Sequence, residues 1–314
     1  MRFPRELTPL IFLVLVVALV PKFLQPSNIN AVLLWLPLIL VVACGEMLVI
    51  LIRGIDISVG AILGFAGVAV GMLLRAQPTM PIPLALLCGS LVGLLWGLVN
   101  GALVSYGRVA SVIVTIGSLT AIRGAAHLIS GGKQIDSSVV PQGLTALARH
   151  GVSLGPILVP WLLILALAVV LATGAFLTQT QAGRNLMAFG SNPDAAHLRG
   201  ISARRVTMLA FAVSGALAGL AGVMYAAKFG FVNPETAGKG FELNVIAAVA
   251  IGGVKMAGGQ GRVIGVVIGC ALLACVNTAL SVLGIDATWQ VLSYGAIILV
   301  ALLTDALLSR REAR

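Results

Sequence analysis

Charge is what this sequence has least of. Only 10% of its 314 residues are Asp, Glu, Lys or Arg, against roughly 25% in an ordinary soluble domain. By contrast, 59% are hydrophobic and the mean hydropathy is +1.09. So little charge excludes a soluble globule and leaves an all-α polytopic membrane protein. A GxxxxGK[ST] phosphate loop is also missing. Gly131-Gly132-Lys133-Gln134 lacks its spacing, so this chain should not bind ATP itself. His127, His150 and His197 are scattered without metal-ligand spacing, and no Ser–His–Asp constellation can be identified. The expectation is therefore no metal, no cofactor and no catalytic residue in this chain. A net charge of +10 would ordinarily raise nucleic acid as a partner, but no basic tract is interleaved with aromatics. Cationic loops on one side of a bilayer account for the charge instead. Cys44, Cys88, Cys270 and Cys275 all lie inside apolar runs and read as buried thiols, neither disulfides nor ligands.

What is present is a series of apolar stretches. About 20 such residues cross a bilayer, with a range of roughly 17–25. Ten stretches read as transmembrane helices: Thr8–Phe23, Ala31–Ile52, Ile57–Leu74, Ile82–Val104, Ala110–Ile129, Ile157–Leu177, Val206–Phe229, Phe241–Val254, Val263–Leu283 and Thr288–Leu308. The first follows Arg2 and Arg5 without a clear small-residue cleavage site, so it reads as a span and not a signal peptide. The eighth is too short to cross, and Gly252-Gly253 and Gly258-Gly259 mark it as short, broken or tilted. The 37 glycines fit close helix packing in lipid. With the N-terminus inside, cytoplasmic segments hold thirteen Lys and Arg against seven on the other side. That bias puts both termini inside, residues 178–205 in a cytoplasmic loop and residues 130–156 in an outer, periplasmic loop. A short amphipathic helix near Gln142–Arg149 suits this outer loop, which is either a partner contact or a solvated connector.

The loop Gln181–Arg205 carries Arg184, Arg199, Arg204 and Arg205. Within it Asn192 is a good N-cap, Pro193 suits the first helical position, and Asp194 sits where the dipole favours an anion. A helix from about Pro193 to Leu198 is expected, stopped by Gly200. It is either a docking device or an ordinary polar connector.

Two halves of the single domain 1–314, about 31–129 and 206–308, echo each other. Gly54-Ile55-Asp56-Ile57-Ser58-Val59 is matched by Gly240-Phe241-Glu242-Leu243-Asn244-Val245. Val99-Asn100-Gly101-Ala102-Leu103 is matched by Val276-Asn277-Thr278-Ala279-Leu280, with Gly107 and Gly284 at equal distances beyond. The offset is five spans, an odd number, so the halves would run in opposite directions: an inverted internal repeat, as in transporters. On this reading Asp56 starts its helix at the cytoplasmic face and Glu242 at the outer face. Glu46 lies mid-span, where a carboxylate costs roughly 2.5–3.5 kcal/mol; it either lines a pathway or pairs with a neighbouring helix. Asn100 and Asn277 either line the pathway or bond between helices. The candidate pathway set is Glu46, Asp56, Ser58, Gly60, Asn100, Glu242, Asn244 and Asn277.

Asp194-Ala195-Ala196, three residues and Gly200 resemble the EAA-loop of ABC-importer permeases, with Asp for Glu. The tracts Gly54–Gly64, GRNLMAFGSNPDAAHLRGIS and Gly240–Arg262 are similar to those of permeases of ribose-type sugar ABC importers, in the same order, from about Ile29 to Asp305. The resemblance implies that Asn192, Pro193, Asp194, Ala195, Ala196, His197 and Gly200 form a coupling helix docking on a separate cytoplasmic ATPase that binds the ATP. It also implies a second permease copy or homologue, a periplasmic sugar-binding protein, and a monosaccharide such as ribose, rhamnose or the furanosyl signal, carried across the bacterial inner membrane. A branched-chain amino-acid permease is the alternative within that fold. An ion-coupled secondary transporter is one outside it, and a membrane-embedded enzyme is disfavoured by the missing constellation.

Overall fold

A helix of 26 residues, α1 (Pro26–Leu51), is the axis of the structure, and every residue of it from Pro37 to Leu51 is buried. It can be apolar all round because other helices surround it. The computed structural model describes residues 23–285, together with Val14, Val20, Trp289, Leu292, Gly295 and Ala296. After α1 come α2 (Val59–Ala76), α3 (Ile82–Ser105), α4 (Ser111–Ser130) and the short α5 (Gln142–Arg149). Next are the strands β1 (Gly151–Leu154) and β2 (Ile157–Pro160), then α6 (Trp161–Gln179), α7 (Gln181–Ser191) and α8 (Pro193–Leu198). The chain continues through α9 (Ala203–Phe229), α10 (Phe241–Ile251) and α11 (Val263–Val282).

Seven of these, α1, α2, α3, α4, α6, α9 and α11, are long and apolar enough to cross a membrane. The eleven residues of α10 reach only about 16 Å at 1.5 Å per residue, half a hydrocarbon core. The expected spans Thr8–Phe23 and Thr288–Leu308 lie outside the described residues. The expected span Ile157–Leu177 starts later, at Trp161, because Ile157–Pro160 pairs antiparallel with Gly151–Leu154 and Pro160 caps the helix. The loop helix Gln142–Arg149 is as the sequence suggests.

Glycine sets the packing. Gly89, Gly93 and Gly97 of α3 lie one turn apart and face Gly219, Gly215 and Phe211 of α9, which runs antiparallel. A Cβ on Gly93 would stand 2.8 Å from the Cα of Gly219, so the two backbones touch, as small-residue helix pairs do in lipid. On its other face α3 exposes Leu84, Leu87, Leu91, Leu95, Val99 and Leu103, a stripe suited to acyl chains. A second glycine row, Gly60, Gly64, Gly67 and Gly71 of α2, packs in turn on Gly238, Ala237, Val232 and Ile135. Hence the segment leaving α9 folds back along α2 instead of running over the surface. Its passage is pinned where Ile135 and Val232 exchange backbone hydrogen bonds of 2.9 and 3.0 Å.

Candidate functional site

The helix expected in the 178–205 loop is α8, with the expected ends. Asn192 Oδ1 accepts from the Ala195 amide at 3.1 Å. At the other end Gly200, with φ +76°, donates to His197 O at 2.9 Å, and Ile201 donates to Ala196 O at 3.0 Å. That pair of bonds is a Schellman stop, which needs a left-handed residue and so favours glycine. Only Ala196 of α8 is buried, and Leu198 is 88% exposed. The preceding helix α7 is not among the sequence expectations. Thr180 caps it by accepting from Gly183 N at 3.0 Å, and a threonine at that position is the signal that marks its start.

The second feature is an interruption. After Leu51 the chain turns back, and the amide of Asp56 donates to Glu46 Oε1 at 3.0 Å. Glu46 lies five residues before the end of α1, about 7.5 Å along the helix, so α2 begins inside the bundle. The first turn of α2 meets the first turn of α10: Glu242 Oε2 and the Gly238 carbonyl occupy the space where Gly60 would carry a Cβ. From there α2 leads toward Ile135. In the other direction α10 leads to Gly252, which packs on Gly265, and to Gly259, whose amide donates to Leu51 O at 2.8 Å. Asp56 and Glu242 therefore do not sit on opposite faces, as the sequence suggested. Both stand at helix N-termini that meet in the interior. The reason is the fold-back of residues 231–240 along the glycine row of α2, which starts α10 halfway through the bundle.

A buried polar network fixes the first interruption. Ser58 N and Oγ donate to Asp56 Oδ1 at 2.9 and 2.6 Å. Asn100 Nδ2 of α3 donates to Ser58 Oγ at 2.8 Å, and Ser118 Oγ of α4 donates to Asn100 Oδ1 at 2.5 Å. Ser111 Oγ accepts from Ile55 N at 3.1 Å, and Thr115 Oγ1 donates to Ile55 O at 3.3 Å. Glu46, Asp56, Ser58 and Asn100 are fully buried. Glu46 thus bonds to the interruption itself, and Asn100 bonds between helices. At the second interruption Arg123 Nη2 lies 3.4 Å from Glu242 Oε1. Glu46 Oε2, Asp56 Oδ2, Glu242 Oε2, Asn244 Oδ1 and Asn277 Oδ1 are buried without a hydrogen-bond partner. Asn277 lies in α11, and nothing joins it to Asn100.

A third junction binds the two features together. Arg53 Nε donates to Gly190 O at 2.7 Å and Nη2 to Ser191 O at 2.8 Å, the last carbonyls of α7. Ser191 Oγ also lies 3.3 Å from Gly259 O. The sequence singled out none of Arg53, Arg123, Ser118 and Leu198. Arg53, Arg123 and Ser118 act through contacts made elsewhere in the chain, and Leu198 is marked only by its exposure. Among the described residues no three His, Cys, Asp or Glu side chains gather as metal ligands. What the geometry supplies is two interrupted helices, a buried polar network, and a short capped helix that is largely exposed.

The profile of the family described as "Branched-chain amino acid transport system / permease component" matches residues 28–302. The autoinducer 2 import system permease protein LsrC of Escherichia coli (strain K12 / DH10B) is 34% identical over 306 residues, 96% of this chain and 86% of that protein. LsrC of Photorhabdus luminescens is 33% identical, covering 96% and 89%. The ribose import permease protein RbsC of Haemophilus influenzae is 33% identical over 310 residues, 98% of this chain and 94% of that protein. No solved structure matches. The alignments run through α1 to α11 and so include both interruptions and α8, and the chain belongs to this family of ABC-importer permeases, as a membrane-spanning transport subunit and not an enzyme.

Proposed function

We propose that this subunit, paired with a second copy or a homologue, carries a monosaccharide of the ribose, rhamnose or furanosyl-signal type across the bacterial inner membrane. A separate ATPase docks on α8 from the cytoplasm, where both termini lie. A periplasmic binding protein delivers the sugar to the face bearing α5 and the β1–β2 hairpin. The observation that carries the reading is α8 itself: a helix of six residues, capped at both ends, with one residue buried and Leu198 bare. Capping fixes both ends of so short a helix, and its exposure suits a partner's groove. The Lys and Arg bias supports the orientation.

The passage follows the two interruptions. Discontinuous helices whose N-termini meet in the bilayer, with chains leading apart, suit a path opened to each side in turn. They also support ten spans built as inverted halves, once the spans outside the described residues are added. Glu242 and Asn244, whose Oε2 and Oδ1 have no hydrogen-bond partner in the subunit, supply polar groups to a solute rich in hydroxyls. The name of the family points to amino acids, but the autoinducer 2 and ribose permeases above point to sugar, and they match over nearly the whole chain.

The test is uptake of radiolabelled ribose, rhamnose and leucine into vesicles holding the permease, its ATPase and its binding protein. ATP-dependent sugar uptake is expected. Leucine uptake would establish the amino-acid reading, and uptake driven by an ion gradient without ATP would establish a secondary transporter.

A further inference from the structure

Arg53 stands where three segments converge. Its own backbone is in the left-handed region, with φ +68°, a strained conformation for any residue but glycine. The backbone is held there by a Schellman stop at the end of α1, Arg53 N donating to Ile50 O and Gly54 N to Val49 O, each at 2.9 Å. The side chain is held as well. Its guanidinium spans Gly190 O and Ser191 O at 2.7 and 2.8 Å, at the negative end of the α7 dipole, where a cation and its donors are favoured. Ser191 is followed directly by Asn192, the N-cap of α8. The same side chain packs on the second interruption, since a Cβ on Gly258 would stand 2.5 Å from Arg53 Cγ. The neighbouring Gly259 donates to Leu51 O at 2.8 Å. Gly190 has no room for a side chain against Leu51 O and Gly259 N, so the contact is rigid.

We propose that Arg53 is a positioning residue that couples α8 to both interrupted helices. A displacement of α8 pulls the carbonyls of Gly190 and Ser191. The forked guanidinium passes the motion to residues 52–58, where Asp56 holds Glu46 and Ser58 holds Asn100. Through Gly258 and Gly259 it reaches the end of α10. The two interruptions therefore move together, which alternate opening requires. This rests on the reading of α8 as the ATPase dock.

The experiment is amide hydrogen exchange, read by mass spectrometry, on the permease in nanodiscs. It is run alone and with its ATPase trapped by ATP and vanadate. In the wild type, trapping should slow exchange at least tenfold at 193–200, at 52–58 and at 252–262. In Arg53→Ala the slowing at 193–200 should remain, while that at 52–58 and 252–262 should fall below threefold. Arg53→Lys, which keeps the charge but loses the fork, should fall between. It decides the matter alone if the alanine variant does not assemble: slowing equal to wild type at all three segments overturns the proposal. So does equal slowing in Arg53→Ala, or wild-type slowing confined to 193–200. Wild-type exchange unchanged at 193–200 would instead overturn the docking reading, and this proposal with it.

Discussion

Glu242 lies against Gly60: its Oε2, together with the carbonyl of Gly238, fills the space a side chain at Gly60 would take. This contact makes the two interrupted helices one unit. Gly60→Ala must push back a carboxylate and a backbone carbonyl at once, and should destabilise the subunit by about 1–3 kcal/mol. Removing the carboxylate as well, in Gly60→Ala/Glu242→Ala, should not restore stability, because the carbonyl cannot move aside. Thermal unfolding in detergent, monitored by intrinsic fluorescence, checks both variants. Full recovery in the double variant would show that the obstacle is the side chain alone.

The glycines are not equivalent, and substitution should sort them. Gly93→Ala inserts a methyl between α3 and α9, 2.8 Å from Gly219 Cα, and should cost about 1–3 kcal/mol. At Gly117 and Gly124 of α4, nothing lies within 4 Å of the point a Cβ would occupy. Alanine at either should be neutral or stabilise the helix, by up to about 1 kcal/mol. Melting temperatures of the three variants in one detergent make the comparison. Equal loss at all three positions would contradict the packing described.

The network around Asn100 gives a different signature. Asn100→Leu removes a donor to Ser58 and an acceptor from Ser118. Ser58 Oγ keeps its bond to Asp56, but the Ser118 hydroxyl loses its acceptor, at about 1–3 kcal/mol for an orphaned buried group. Because Ser58 in turn fixes Asp56, hydrogen exchange should quicken across 54–58 more than along α3. Quickening spread evenly through the subunit would mean a packing defect instead.

Much of this was legible in the sequence because it is local. The ends of α8 follow from Asn192, Pro193 and Gly200, whose effects reach one turn. The seven spans among the described residues follow from runs of apolar residues, and α5 from its amphipathic spacing. The depth of Glu242 was not legible. Phe241–Val254 gives the same hydropathy whether the helix starts at a surface or midway. What decides is the path of residues 231–240, and that depends on the glycine row of α2, about 170 residues earlier in the chain. Arg53 was hidden for the same reason. In sequence it is one cation beside a turn, and its partners Gly190 and Ser191 are 137 and 138 residues away.

Two changes in α8 should separate folding from docking. Asn192→Ala removes the cap on the Ala195 amide and should cost about 1 kcal/mol locally, read as roughly fivefold faster exchange across 193–198. Leu198→Asp leaves both caps in place and puts a charge on the 88% exposed apolar position. Capture of the ATPase by the tagged permease should then fall at least tenfold with membrane levels unchanged. Undiminished capture would mean that the partner sits elsewhere.

The passage itself is open to a thiol test. Ala248 is fully buried, its carbonyl packed under Gly269, so Ala248→Cys should stay unlabelled by a water-soluble maleimide in every state. Asn244, one turn earlier on α10, is half-buried and has a buried Oδ1 without a partner. Asn244→Cys should label in the resting subunit if water reaches the meeting point of the two helices. Ser58 is fully buried under Asn100, and its cysteine should label only when the first interruption moves, rising at least fivefold on vanadate trapping of the ATPase. Gly60 is unsuitable, since any side chain there meets Glu242. A background of Cys88→Ala removes the half-buried native thiol. Uniform protection of Ser58→Cys and Asn244→Cys, with and without nucleotide, would move the passage away from the interrupted helices. A rise at Ser58 that tracks ATP would mean that the polar network opens as α8 is driven.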